Sequence, residues 1–449
     1  MSFPRTLLAV LVGSCSVSVR ADEWPQWLGP QRDAVWRESG IIDKFPANGP
    51  AVRWRTKIGV GYAGPAVVGN RVFVTDRVRG DERDPNSAFE RGNAASTERI
   101  VCLDEATGKI VWEHSYPCVY TVSYPAGPRC TPTVADGQVF TLGAEGNLVA
   151  LAAADGKVLW QRDFKQDYSI RQSPTWGFSS HPLVDGKKVI TLVGGEGTAV
   201  VAFDRDSGKE VWRALSSSGP HGPGYGPAQI IEAAGVRQLI VWLPTAVNSL
   251  DPETGNVLWS HSFPVRQGLT VPTPRRSGDL LFLTAFYDGS LMLKLNSDKP
   301  GASEVWRRSG QSERNTDALH SIMPTPFVEN GHIYGVCSYG ELRCLKADSG
   351  DRVWEDLTAT GADKLRNARW ANAFLIKHED RFFLANEAGD LIIARLTPKG
   401  YDEVSRTKLL KPTNHNAGRP VVWSHPAFAH RCVFARNDEE IVCVSLSKE

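Results

Sequence analysis

A chain of 449 residues whose 51 basic and 50 acidic side chains nearly cancel has no net field with which to gather nucleic acid or an anionic membrane surface. The length suffices for one large closed fold or for two or three ordinary domains. Its apolar opening run, Leu7 to Val12, falls far short of the roughly 20 residues of a bilayer span, so no membrane span is expected.

Residues 1–21 read as a signal peptide: Arg5, the apolar run, then Val19-Arg20-Ala21 as a small-residue cleavage site before Asp22. Val12-Gly13-Ser14-Cys15 is also a loose lipobox, which leaves open a lipid anchor on Cys15. Either reading makes the protein exported, to the periplasm or the extracellular space.

Residues 22–50 form a lead-in that opens Trp24-Pro25-Gln26-Trp27-Leu28-Gly29-Pro30. Its aromatics are expected to pack the segment against the body that follows. Next comes an isolated strand, Ala51–Thr56, with a tryptophan (Trp54) and no strands before it.

From there one unit recurs. A short strand opens after a proline, as at Gly64-Pro65-Ala66-Val67 or Thr131-Pro132-Thr133-Val134, where proline gives up no ladder hydrogen bond. A tight turn and an apolar strand follow. The third strand runs into an acidic turn such as Asp104-Glu105-Ala106-Thr107-Gly108, whose glycine can take the positive φ of a reversal. The fourth strand ends on tryptophan. The closing residues Trp54, Trp112, Trp160, Trp212, Trp259, Trp306 and Trp354 stand 47 to 58 residues apart, and Val404 takes the place of the next. Four short strands at a period near 50 predict propeller blades.

Seven units fit between residues 60 and 406. The eighth is split: three strands near Pro426–Ala429, Cys432–Arg436 and Glu440–Leu446 lack a fourth, which Ala51–Thr56 supplies. The expected fold is therefore all-β: an eight-bladed β-propeller over residues 51–449, closed by pairing the N-terminal strand with the C-terminal blade. Such closure removes the open sheet edges.

Cysteine chemistry is thin. Cys102, Cys344 and Cys443 share one repeat position, so they read as buried free thiols. Cys118 and Cys130 flank one loop and are the best disulfide candidate. No CxxC or Cys/His spacing points to zinc, and no metal site is expected.

The repeat, as in Leu250-Asp251-Pro252-Glu253-Thr254-Gly255-Asn256-Val257-Leu258-Trp259, resembles the pyrroloquinoline quinone-like (PQQ-like) propeller repeat over nearly all of residues 51–446. Length and blade count are similar to BamB-like scaffolds of outer-membrane protein assembly. That resemblance implies a non-catalytic binding module with cell-envelope protein partners, a small ligand or a glycan, acting as a monomer. The family's quinone dehydrogenases imply a rival: PQQ with calcium at the propeller axis, oxidising alcohols or sugars. Here the adjacent-cysteine pair of the alcohol-oxidising members is missing, and no carboxylate set can be assigned by position to calcium. No catalytic residue and no cofactor is therefore assigned.

What remains is a surface. The loops from each fourth strand to the next blade are long, whereas the acidic turns on the opposite face are short, and long loops on a rigid scaffold commonly carry function. From them, Tyr62, Arg129, Trp176, His181, Tyr225, His320, Arg369, Trp370, Asn372 and His425 are the candidate ligand- or partner-binding residues of an axial funnel and its rim. His181, His320 and His425, each just before a first strand, are expected to ring that funnel without meeting.

Overall fold

The computed structural model describes residues 22–80, 84–85, 89–416 and 418–448. The expected signal segment, with Cys15, lies outside them. Eight four-stranded antiparallel sheets follow one another in chain order. Blade 1 shows the plan: Ala66–Val68, Arg71–Arg79, Ala94–Asp104 and Ile110–Tyr120. First strands are short, buried and in contact with the first strands of neighbouring blades, so they line the axis. Fourth strands alternate between exposed and buried positions and form the outer rim. No helix among the described residues is long and apolar enough to cross a membrane.

Blade 8 consists of Ala427–Ala429, Cys432–Arg436 and Glu440–Ser445, completed by Val52–Lys57 from the other end of the chain. The register sets Trp54 opposite Cys443 and Thr56 opposite Ile441. A backbone hydrogen bond from Ser445 to the Ala51 carbonyl extends the pairing. The ring therefore closes as the strand count demands.

Six of the seven closing tryptophans dock on the next blade. Trp54 Nε1 donates to the Glu105 carbonyl at 2.7 Å, Trp112 to Ala153 at 3.0 Å, Trp160 to Arg205 at 2.7 Å and Trp212 to Pro252 at 3.2 Å. Trp306 and Trp354 reach Ala347 and Thr397 in the same manner. The acidic turn must have glycine where the indole lies over it: a Cβ on Gly156 would meet the Trp112 ring at 2.5 Å, and one on Gly255 the Trp212 ring at 2.6 Å. The exception is Trp259, whose indole donates to Gln238 Oε1 in its own blade. The turn it would face, residues 296–301, lacks the acidic consensus.

The lead-in does more than pack against the body. It threads the axis. Trp24 pairs with Val67 of blade 1, and Val134 of blade 2 donates to the Pro25 carbonyl. Arg32 reaches the carbonyls of Pro182 and Ala228, ahead of blades 3 and 4, and Arg275 of blade 5 donates to Asp33 O. Ala34 and Trp36 bond Lys377 of blade 7, and Ile42 bonds Leu446 beyond blade 8. One looped segment thus fills the channel that eight first strands leave between them. Trp24 and Trp36 are almost wholly buried in it. Fully burying such a ring removes about 150–250 Å² from water, roughly 4–6 kcal/mol as an upper bound.

All seven described cysteines are free and buried, so Cys118 and Cys130 form no disulfide. Cys118 lies near the end of blade 1's fourth strand, opposite Ser96, whereas Cys130 has turned into the next blade's core beside Phe140 and Phe178. Flanking one loop in sequence did not bring their sulfurs together.

Candidate functional site: an aromatic funnel on the axis

The funnel opens on the long-loop face with about 1170 Å³ of empty space. Every one of the eight inter-blade connections gives it at least one wall residue: Tyr62, Tyr124, Trp176, Tyr225, Leu269, Met323, Trp370 and Trp423 in chain order. Tyr287, from a loop within blade 5, and Phe89, from the insertion in blade 1, complete the rim. The Phe89 ring is set 5.9 Å from Trp176.

The floor is the lead-in. Trp27 lies parallel to His181, with ring centroids 4.1 Å apart, and tilts against His425 at 4.8 Å. Its indole N–H donates to Thr273 Oγ1 at 3.0 Å, which fixes the ring across the axis. His181 and His425 therefore share one partner, although their blades are not neighbours. Burial keeps both imidazoles neutral: His181 falls well below its ordinary pKa and His425 falls to about 4. His181 Nδ1 accepts the Thr131 N–H at 2.9 Å. His425 Nε2 is buried with no hydrogen-bond partner, as is Trp370 Nε1 higher in the wall.

Of the ten candidate residues, Tyr62, Arg129, Trp176, His181, Tyr225, Trp370 and His425 meet in this funnel. Two are corrected. His320 does not ring the funnel: it is 1% exposed, its ring bonding the Phe286 carbonyl at 3.0 Å and accepting the Gly310 N–H at 3.2 Å, so it braces a loop. Asn372 is fully buried and its amide donates to the Trp370 carbonyl at 3.1 Å. Arg369 stands beside the wall, with its guanidinium 4.5 Å from the Trp370 ring and 2.7 Å from Glu313.

Arg129 is in the wall but is not offered to a ligand. Its guanidinium donates to the carbonyls of Trp176 at 2.7 Å, Ser123 at 3.0 Å, Tyr124 at 2.7 Å and Gly127, and it lies over the Tyr62 ring. It is a strut that holds three aromatic loops in place. Trp423 is held similarly: its indole donates to Glu387 at 3.0 Å, and Glu387 is paired with Arg419 at 2.7 Å. Trp27, Phe89, Tyr287 and Trp423 were not among the sequence candidates. Only their aromaticity within or near long connections marked them.

No aspartate or glutamate is among the described residues lining the funnel. The buried carboxylates nearby are spent: Glu98 accepts from the Tyr116 and Tyr120 hydroxyls and from Ala144 N at 3.1 Å, and Glu387 is bound as above. Calcium takes six to eight oxygen ligands, several of them carboxylate. Hydroxyls and a serine cannot substitute for that set. The donors present do not fit a calcium-held quinone.

With this geometry in hand, the family described as outer membrane protein assembly factor BamB matches residues 38–222, 96–356 and 244–449. The chain belongs to the BamB family. Similar proteins include both an assembly factor and alcohol dehydrogenases. The Shewanella oneidensis outer membrane protein assembly factor BamB is 20% identical over 50% of this chain and 56% of its own length. The Pseudomonas putida quinohemoprotein alcohol dehydrogenase ADH IIB is 31% identical over 35% of this chain and 24% of its own length. The chain thus spans about half the former relative and about a quarter of the latter. Among solved structures, quinohemoprotein alcohol dehydrogenase from Comamonas testosteroni superposes with a TM-score of 0.57 at 13% identity, covering 94% of this chain and 80% of its own. BamB from Moraxella catarrhalis gives 0.50 at 16%, covering 83% and 97%. These likenesses establish the propeller for this BamB-family chain. Its chemistry has to come from the funnel.

Proposed function

We propose that this protein is an exported, non-catalytic binding propeller of the BamB type, which takes an apolar or aromatic segment of a cell-envelope protein into its axial funnel. The observation that carries this reading is the makeup of the wall. Aromatic rings come from nearly every connection, the single wall guanidinium is consumed by backbone carbonyls, and no carboxylate is present among the described lining residues. Rigid aromatics at a concave site are what binding hot spots are built from. A glycan presents many hydroxyls and needs many free polar partners. Among the described lining residues the buried groups without a partner are Trp370 Nε1 and His425 Nε2, too few for that.

The dehydrogenase relatives keep a quinoprotein reading in view, but the donor set speaks against calcium in this funnel. Peptide-display selection against the immobilised full chain tests the proposal. Enrichment of apolar and aromatic peptides, lost in Trp370→Ala and Trp176→Ala, is the expected result. Selection of no peptide, with binding on a glycan array instead, would refute it.

A further inference from the structure

Outside the funnel, on the face of the acidic turns, the ring-closing blade holds a second cluster that the binding role does not use. Cys432 and Cys443 sit on adjacent strands of blade 8, and Glu105 reaches them from the acidic turn of blade 1. The two sulfurs and a Glu105 carboxylate oxygen all lie within 4.8 Å of one another, in residues that are all buried. His430, at the turn before Cys432, places Nδ1 3.7 Å from the same carboxylate.

A cation already occupies the focus of these donors. Arg53, on the closing strand, donates from Nη1 to Glu105 Oε1 at 2.7 Å and lies 3.4 Å from Cys432 Sγ. Its side chain is a third exposed and can swing outward.

We propose that Glu105, Cys432 and Cys443, with His430 as the fourth donor, bind one thiophilic divalent cation of the zinc class across the seam of the ring. Two thiolates, a carboxylate and an imidazole form a four-coordinate set of the kind zinc takes, with Zn–S near ~2.3 Å. The strand register disfavours the alternative use of two close thiols. Cys432 pairs with Ser445 and Cys443 with Phe434, so the cysteines are diagonal neighbours on one face. Diagonal cross-strand positions are typically ~7–8 Å apart at Cα, beyond the usual reach of a disulfide, yet both sulfurs can share an ion. Binding releases the thiol protons to solvent and moves Arg53 off the carboxylate. The ion would tie blade 1 to blade 8 beside the closing strand, adding to the strand pairing and tryptophan docking there.

The test is a cobalt(II) titration of the full chain, kept reduced with a phosphine. The expected result is one equivalent bound, with near-ultraviolet thiolate-to-cobalt charge-transfer absorption and a raised melting temperature. Cys432→Ser and Cys443→Ser lose the band. Cys102→Ser, which removes the matched buried thiol of blade 1, keeps it and controls for loss of a core sulfur. Arg53→Gln, which leaves every donor in place, binds cobalt at least as tightly as the wild type. No band in the wild type, a band that survives loss of both cysteines, loss of binding in Arg53→Gln, or a protein that isolates as the Cys432–Cys443 disulfide and takes up no cobalt once reduced would each overturn the proposal.

Discussion

Trp27 lies flat on His181, their rings 7° from parallel, and this one contact joins a segment that precedes the propeller to the mouth of its third blade. The axis of the molecule is therefore not an open pore. Removing the ring should collapse the floor. Trp27→Ala loses a side chain that is 92% buried, a stacked partner and the bond to Thr273, and should cost about 3–5 kcal/mol. Urea unfolding measures it. Trp27→Phe should recover most of the loss.

The tryptophan docks predict a matched pair of substitutions. Gly255 has φ 75° and lies under Trp212, whereas Gly186 has φ 57° with nothing within 4 Å of an added Cβ. Gly186→Ala should show only backbone strain, about 1 kcal/mol. Gly255→Ala adds the clash with the indole and should cost clearly more. Equal losses would mean that the docks do not hold neighbouring blades together.

The buried imidazoles predict how stability responds to acid. His425 has a folded pKa of about 4, lowered by burial from an ordinary value near ~6.5. Between those values the unfolded chain binds a proton that the folded protein refuses. Stability is therefore whole above about pH 6.5 and falls as the pH drops toward 4, by up to about 3 kcal/mol from this group. His181 acts in the same direction. Unfolding measured at pH 7 and pH 4.5 should show a smaller difference in His425→Gln than in the wild type.

Ring closure makes its own prediction. Thr56 sits within the closing strand opposite Ile441, so Thr56→Pro puts an imino acid into the closing ladder. The expected outcome is a lower melting temperature, with association through the exposed edge of blade 8 visible in size-exclusion chromatography. An unchanged melting temperature would contradict closure by this strand.

The sequence was most legible where local chemistry repeats. An acidic turn with glycine, followed by tryptophan, places most of the fourth strands, and the unpaired strand Ala51–Thr56 corresponds to the closing strand Val52–Lys57. It was least legible where distant residues decide. Nothing near Trp27 in sequence marks it as the floor of a funnel, since its partners are His181, Thr273 and His425. His320 follows the same positional rule as His181 and His425, but turns instead to Phe286 and Gly310. The cluster of Glu105, Cys432 and Cys443 obeys no spacing motif because the ring brings blade 1 against blade 8.

The account turns on whether this funnel binds or turns over. The most direct measurement is dye reduction by the full chain supplied with pyrroloquinoline quinone and calcium, across primary alcohols and sugars. An aromatic funnel without free carboxylates predicts no calcium-dependent uptake of the quinone and no reduction above the protein-free rate. Substrate-dependent turnover that disappears in Trp176→Ala or Trp370→Ala would contradict it and make this propeller an oxidoreductase.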